Sequence, residues 1–322
     1  MTNPDKSIRR FEEWQSTHTI PYAEGMSEDT CYNLMKYLGQ DISVSQKYFM
    51  YRAARTDERT SVAVDSTTYS SYSELLNDAR FGYNKDKNGL ASVKLLTLFS
   101  LNDHPPIAYT RQPGNIPDVI SVLNALKQLS VLGMTRPLLV LDGGFFSEDN
   151  ILEFIHAHTK FLMRGQLDGK WISPWLETVI PEMMRPSNAC PGASELYCCT
   201  KRITHYFVYE RRKTRGDIEK GDITTEHHRL YLHFVLDTEK SRLDTAHLMK
   251  EIHSVQKQLQ DGVDPKLLTK AERDIADKFL VEKNVKGRAV IVLDDDAIMA
   301  ETRCYGYFVL VSNEKMDAFS AL

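Results

Sequence analysis

The sequence predicts an α/β protein built on a mixed β-sheet with helices on its faces. Three short runs that suit β-strands follow one another between Val62 and Thr110. A stretch with helical spacing of apolar residues comes next, and it is followed by a continuously apolar run at residues 137–141. Such a continuous run is typical of a strand that is buried on both faces of a sheet. The change from successive strands to alternating helix and strand indicates a mixed sheet.

Each element has its own pattern, and their order is informative. The first predicted strand begins at Val62, and the next four span residues 93–99, 107–110, 137–141 and 160–164. One predicted helix begins at Asp118 and another after Ser147, a natural N-cap. Three strands in close succession favour antiparallel pairing. The order strand, strand, strand, helix, strand, helix, strand is that of a ribonuclease H-like fold, in which the first and fourth strands are neighbours.

Two aspartates come at the ends of the first and fourth predicted strands, Asp65 and Asp142. Hard divalent cations prefer carboxylate oxygens, so two carboxylates at neighbouring strand ends predict a metal site for phosphate-ester chemistry. Either aspartate taken alone could instead cap a turn or a helix. A third acid is expected at such a site, and the sequence does not identify one.

The chain is predicted to have four parts. Residues 1–60 form a helical segment, and 61–165 form the first part of the core. Residues 166–300 form an insertion with a hairpin and helices, one of them near residues 265–281, and 301–322 form a final strand and the start of a helix. The N-terminal helices could bind DNA or cover the core. We favour a cover, because no basic recognition face is visible.

Composition limits the classes of protein. The 322 residues include 42% hydrophobic and 26% charged residues, which is ordinary for a globular protein. No apolar stretch suits a signal peptide or a membrane span, so a cytoplasmic protein without membrane contact is expected. The net charge of -4 provides no general attraction to nucleic acid, so any DNA contact must come from a local patch.

One local basic patch is present. Arg211, Arg212, Lys213 and Arg215 lie in a long polar turn between two predicted strands. Such a hairpin tip could contact DNA phosphates, which adds salt-dependent affinity without reading the base sequence. It could equally be a solvated turn, because neighbouring acids dilute its charge.

The cysteines predict no disulfide framework. Cys190, Cys198 and Cys199 lie close in sequence to His205, but they lack the paired short spacings of a structural zinc site. Scattered thiols in a reducing compartment are the simpler interpretation.

Several segments together resemble a known family. They are the run at residues 82–86, the turn Gly114-Asn115 followed by Asp118, the segment at 142–150 that begins Asp142-Gly-Gly-Phe-Phe-Ser, and the late strand at 306–313. Their order and spacing, from about Asp65 to the last residue, resemble the transposases of bacterial insertion sequences of the insertion-sequence-four type.

The resemblance implies a specific site and activity. It implies a ribonuclease H-like catalytic core, two Mg²⁺ ions, with Mn²⁺ as a possible substitute, and cleavage and strand transfer on double-stranded DNA by a homo-oligomer. Asp65 matches the first acid of the family's triad and Asp142 the second. The third, a glutamate, lies on a helix marked by Tyr, Arg, Glu and Lys.

That helix would be starting at residues 316–322. A stretch from Tyr209 has the first interval of the motif, but Gly216 occupies the glutamate position. We therefore expect a transposase that lacks its last acidic helix and is inactive or nearly so as residues 1–322. The alternatives are a non-catalytic DNA-binding or regulatory fragment, and a host nuclease of the same fold.

Overall fold

The structure is a computed structural model that describes residues 11–19, 25–56, 60–73, 75–82, 88–102, 106–134, 137–210, 221–285 and 288–322. The chain divides into two compact units. The first comprises Met1–Ile116 and Leu123–Pro137, and the second comprises Pro117–Val122 and Leu138–Leu322.

The first unit begins with helices and continues as an antiparallel sheet. Its elements are α1 (Phe11–Gln15), α2 (Glu28–Gln40), α3 (Ile42–Ala53), β1 (Ser61–Ser70), β2 (Ser92–Ser100) and β3 (Pro106–Pro113). The strands pair in the order β3-β2-β1, and both pairings are antiparallel. The predicted antiparallel start of the fold is confirmed.

The two predicted N-terminal helices are present in this unit. Ser27 caps α2, and its side chain accepts a hydrogen bond from the Thr30 N–H. α3 packs on β3 through an edge-to-face contact of Phe49 with Tyr109, whose ring centroids are 5.1 Å apart. The apolar side chains of α2 are less covered: its Tyr37 is 63% exposed. α3 therefore covers part of the sheet, whereas α2 leaves much of its apolar face open.

The second unit contains the remaining elements. They are the start of α4 (Asp118–Val131), then β4 (Leu138–Leu141), α5 (Glu148–His156), β5 (Lys160–Arg164), α6 (Ser173–Val179), β6 (Ala189–Cys190), β7 (Ala193–Glu210), β8 (Ile223–Asp237), α7 (Thr238–Gln260), α8 (Lys270–Phe279), β9 (Leu280–Val285), β10 (Arg288–Leu293), α9 (Asp295–Thr302), β11 (Tyr307–Ser312) and α10 (Ala318–Ala321). Its main strands pair in the order β4-β5-β11-β8-β7-β6, and β9 pairs with β10 separately.

Strand directions within these units agree with the predicted fold class. The three antiparallel strands are followed in the chain by α4, β4, α5 and β5, and β4 pairs with β5 in parallel. In the rest of this sheet of the second unit, β11 pairs with β5 and with β8, and β7 pairs with β8 and with β6. All four of these pairings are antiparallel. The chain thus has a mixed α/β, ribonuclease H-like fold.

The predicted boundaries differ from the observed ones in two places. Asp65 is the fifth residue of the ten-residue strand β1 and not its last, because the Ser66-Thr67-Thr68 segment continues to pair with β2. The helix predicted near residues 265–281 begins only at Lys270. There Thr269 and Glu272 form a capping box that satisfies the first backbone N–H groups.

The described residues contain no helix with both the length and the apolar composition that a membrane crossing requires.

The predicted protruding hairpin is present as β7 and β8. The two strands pair continuously from Leu196 and Asp237 to Glu210 and Ile223. This hairpin contacts α5 through polar groups: His205 Nε2 is 3.3 Å from a carboxylate oxygen of Glu148.

A second polar cluster joins the same hairpin to α5 and is centred on Glu226 of β8. The Tyr209 hydroxyl donates to Oε1 of Glu226 at 2.5 Å, while Nε2 of His156 and Nε2 of His228 lie 2.9 and 3.1 Å from Oε2. Burial alone would raise the pKa of this carboxyl, but the hydrogen bonds of Tyr209, His156 and His228 outweigh it and lower the pKa to about 2. The folded state therefore favours the charged carboxylate.

We expect Glu226→Gln to lower the free energy of unfolding at neutral pH by about 1.5–3 kcal/mol, the usual contribution of hydrogen bonds to a charged group. The pKa of Glu226 falls from 4.5 to about 2 on folding, so this stabilisation is present above pH 4.5 and is lost as the pH falls towards 2. Urea denaturation at a series of pH values measures the difference between the wild type and the variant.

Glu210→Gln is the matched control, because Glu210 lies on the same hairpin and is exposed. It should leave the unfolding free energy almost unchanged. A difference between wild type and Glu226→Gln that does not shrink below pH 4.5 would show that Glu226 does not act as a hydrogen-bonded carboxylate.

Candidate metal centre

Asp65 lies in the first unit, on β1. Its side chain is exposed between the buried residues Val64 and Ser66, and its Oδ1 accepts a hydrogen bond from the Ser66 N–H at 2.8 Å. Its backbone lies opposite Thr97 of β2. The strand therefore holds the backbone of Asp65 firmly, while its carboxylate remains accessible.

Asp142 lies in the second unit, directly after β4. The backbone turns here into a single 3₁₀ turn at Gly143–Phe145, and Oδ1 of Asp142 accepts the Gly144 N–H at 3.0 Å. Asp142 is exposed, whereas Leu141 before it is buried. The prediction that Asp142 follows the end of the fourth strand is confirmed.

A second carboxylate lies beside Asp142 in the same unit. A Cβ atom at Gly144 would be 3.2 Å from Oδ1 of Asp142 and 3.3 Å from Oδ2 of Asp118, the first residue of α4. Such distances are tighter than ordinary van der Waals contact. A glycine at position 144 therefore lets both carboxylates come close to the same stretch of backbone.

The loop that carries Asp142 is anchored by buried polar contacts. Asn150 of α5 is buried, and its Nδ2 donates to the Phe145 carbonyl at 2.8 Å. Ser147 caps α5 by accepting the Asn150 N–H at 3.1 Å. These contacts fix the path of the chain from Asp142 to α5.

The donor chemistry fits a hard divalent cation, because Asp142 and Asp118 offer carboxylate oxygens and no sulfur or nitrogen ligand. Within the ranges that the structure describes, no group of three or more His, Cys, Asp or Glu side chains is placed to hold a metal ion. Asp65 belongs to the first unit and Asp142 to the second. That they share metal ions stays a prediction.

The region in which the third acid is expected contains a helix. α10 follows β11; Asp317 caps it, and its Ala318 and Ala321 are buried. The other stretch with part of the motif begins at Tyr209, which lies on the strand β7 and not on a helix.

The predicted DNA-binding residues cannot be placed in the structure. Arg211, Arg212, Lys213 and Arg215 lie outside the described residues, between the ends of β7 and β8.

The cysteines do not form a zinc site in the described part of the chain. Sγ of Cys190 and Sγ of Cys198 are 3.3 Å apart, and burial, together with the hydrogen bond between the two thiols, raises the pKa of Cys198 to about 12. His205, which is near them in sequence, contacts Glu148 instead. The two thiols belong to a small apolar cluster under α10.

The sequence marks Asp118 as the start of a helix but not as a site residue. Its proximity to Asp142 depends on the path of the chain between α4 and β4, for which no local pattern exists.

Comparisons with known proteins bear on this site. No curated protein sequence matches the chain. A solved structure of a piggyBac transposase synaptic complex with hairpin DNA is similar to 70% of this chain, with 9% sequence identity and a TM-score of 0.33. The similarity covers 46% of that protein, so this chain spans about half of its length.

The family model of the transposase DDE domain matches residues 56–252. This segment is more than half of the chain and contains both Asp65 and Asp142. The chain therefore belongs to the transposase DDE domain family.

Proposed function

We propose that this chain is the catalytic region of a transposase of the insertion-sequence-four type, which cleaves phosphodiester bonds and transfers strands at the ends of an insertion sequence. The observation that carries the proposal is the family match, which spans both Asp65 and Asp142 on elements of a ribonuclease H-like fold. Transposases of this family use divalent metal ions. We propose Mg²⁺ as the ion, with Mn²⁺ as a substitute.

The carboxylates of Asp65 and Asp142 would hold the metal ions, and Asp118 would add negative charge beside Asp142. Bound metal ions would help to deprotonate the attacking water or DNA 3′-hydroxyl and would neutralise charge on the leaving oxygen. The Gly144 N–H, which donates to the Asp142 carboxylate, and the Asn150 side chain, which donates to the Phe145 carbonyl, would keep the loop that carries Asp142 in place during this step.

The partners in this proposal are the double-stranded ends of the element and the target DNA. A homo-oligomer would hold two ends together. The third carboxylate would come from a helix that follows β11, as the family resemblance implies.

We expect Asp142→Asn and Asp65→Asn each to weaken Mn²⁺ binding at least about tenfold, because even residues that only support a metal ligand contribute about 10–100-fold to affinity. Electron paramagnetic resonance of free Mn²⁺ measures binding without requiring activity. Asp118→Asn should weaken binding less, because we place Asp118 beside Asp142 and not among the family's metal ligands.

Asp168→Asn is the matched control, because Asp168 is an exposed acid of the same unit. Equal binding by the wild type, by Asp142→Asn and by Asp65→Asn would exclude these aspartates as ligands. If DNA binding persisted in that case, the non-catalytic DNA-binding or regulatory function would replace the proposal.

We expect this chain to transfer little or no DNA strand, because its described residues bring no third carboxylate to the two aspartates, and two carboxylates hold a pair of metal ions poorly. The measurement is incubation with duplex DNA that ends in the element's terminal repeat, in Mg²⁺ or Mn²⁺, followed by gel analysis. Strand-transfer products that disappear in Asp142→Asn would contradict this expectation and would show a complete site.

We also propose that the basic cluster at residues 211–215 contacts DNA phosphates. Replacement of Arg211, Arg212, Lys213 and Arg215 by alanine should weaken DNA binding and flatten its dependence on salt, by about 0.9 in slope for each phosphate that the variant no longer neutralises. Fluorescence anisotropy of a labelled DNA duplex over a salt series measures both effects.

A control variant with the same change in charge replaces exposed residues of the helical part of the second unit by alanine: Arg242, Lys250, Lys257 and Lys266. If both quadruple variants lost the same affinity, general charge and not the hairpin would account for binding.

A further inference from the structure

An arginine lies next to Asp142 across the sheet. The last pair of the parallel ladder between β4 and β5 is Leu141 with Met163, so Asp142 and Arg164 are the next residues on the two strands. A Cβ atom at Gly143 would be 4.0 Å from both Cβ and Cγ of Arg164. The stem of the arginine therefore lies against the backbone that follows Asp142.

The backbone of Arg164 is fixed on both sides. Arg164 pairs with Leu310 of β11, and the N–H of the next residue, Gly165, donates to the Val309 carbonyl at 2.8 Å. The Gly165 backbone has little space, because a Cβ there would be 3.0 Å from a methyl group of Val311. The position from which the side chain projects is thus held by two neighbouring strands.

The guanidinium group is also oriented. Its central carbon lies 5.4 Å from the ring centroid of Phe308, on β11, which is a cation–π distance. Phe308 is partly buried against the cluster of Cys198, Val235 and Ala318, so this ring has a supported position. A planar guanidinium held on a ring keeps its N–H groups available at its edges.

No carboxylate of the described residues compensates the charge of Arg164. Arg164 is exposed and forms no ion pair with any residue in the part of the chain that the structure describes. Several other exposed cations of this unit have such partners, such as Arg303 with Glu177 and Lys160 with Glu314. An oriented and uncompensated guanidinium is suited to an anion from outside the protein.

The nearby carboxylates give the Arg164 guanidinium a role, because they repel an approaching phosphate. Asp142 and Asp118 place two negative charges beside Gly144, and a phosphodiester approaching them is repelled. A cation on the neighbouring strand offsets part of this repulsion. Guanidinium groups bind phosphate oxygens with two parallel hydrogen bonds, which also sets the orientation of the phosphate.

We propose that Arg164, supported by Phe308, binds a backbone phosphate of the DNA strand that lies against Asp142. This inference rests on the proposed function and names a phosphate-binding residue for its DNA. Arg164 acts here as a positioning residue, because it sets where the strand lies relative to the aspartate.

The direct test is protection from phenylglyoxal, a reagent for arginine, with the modified residues mapped by mass spectrometry. The probe is a short fluorescein-labelled DNA duplex with a single-stranded 3′ end. DNA should slow the modification of Arg164 and leave that of Arg242, an exposed arginine of α7, unchanged. This experiment uses the wild-type chain, so it does not depend on how a variant folds.

A second test uses variants and the same duplex. Arg164→Ala should weaken binding about five- to tenfold near 0.1 M salt and reduce the slope of log affinity against log salt by about 0.9, which corresponds to one fewer neutralised phosphate. Arg164→Lys should retain most of the salt slope, because it retains the charge. Phe308→Leu should weaken binding with the slope retained, and Arg242→Ala should change neither.

The outcomes separate this inference from the proposed function. If the wild type binds DNA but Arg164 is not protected, or Arg164→Ala binds with unchanged affinity and slope, Arg164 does not bind the phosphate and the proposed function stands. If the wild type does not bind DNA at all, both proposals are wrong.

Discussion

The backbone ladders on the two edges of β5 are the constraint on which the candidate site depends. β5 pairs in parallel with β4 and antiparallel with β11, so one short strand connects the segment before Asp142 with a segment near residue 310. Hydrogen bonds of this kind specify direction and register together, because a shift by one residue along β5 would move an exposed charged residue, Lys160 or Arg164, into a buried position. Phe161 and Met163 are fully buried, which makes such a shift costly.

Small residues then allow polar groups to approach one another at the end of these strands. Gly143 lies against the stem of Arg164, and Gly144 lies against the carboxylates of Asp142 and Asp118. A side chain at either position would fill the space that these groups share. The pair of glycines after Asp142 therefore contributes by leaving open the volume that these groups occupy.

The hairpin of β7 and β8 is attached to α5 in a different way. Phe207 is buried, but around it the contacts are charged or polar, as in the cluster of Glu226 with Tyr209 and His156. Polar attachment permits a long hairpin to reach beyond the core without exposing a large apolar surface. The basic cluster of residues 211–215 lies between the ends of these strands in sequence, outside the described residues.

Much of the fold could be predicted from local patterns. The three antiparallel strands, the helix from Asp118, the buried strand β4 and the cap at Ser147 each have a signal within a few residues, because burial and capping impose short periods and specific residue types. The course of β1 beyond Asp65 was less predictable, since hydroxyl-bearing residues suit both strands and turns. The start of α8 depended on a capping box that apolar spacing does not reveal.

The sequence by itself determined the order of the elements, the two aspartates and, with the match to residues 56–252, the family. Only the tertiary structure decided that Asp118 lies beside Asp142 and that Arg164 is held between that aspartate's loop and Phe308. The physical reason is that these contacts join residues far apart in the chain. They arise from the pairing of strands and from the space that glycines leave. The spacing of neighbouring side chains in the sequence predicts neither the strand partners nor that space.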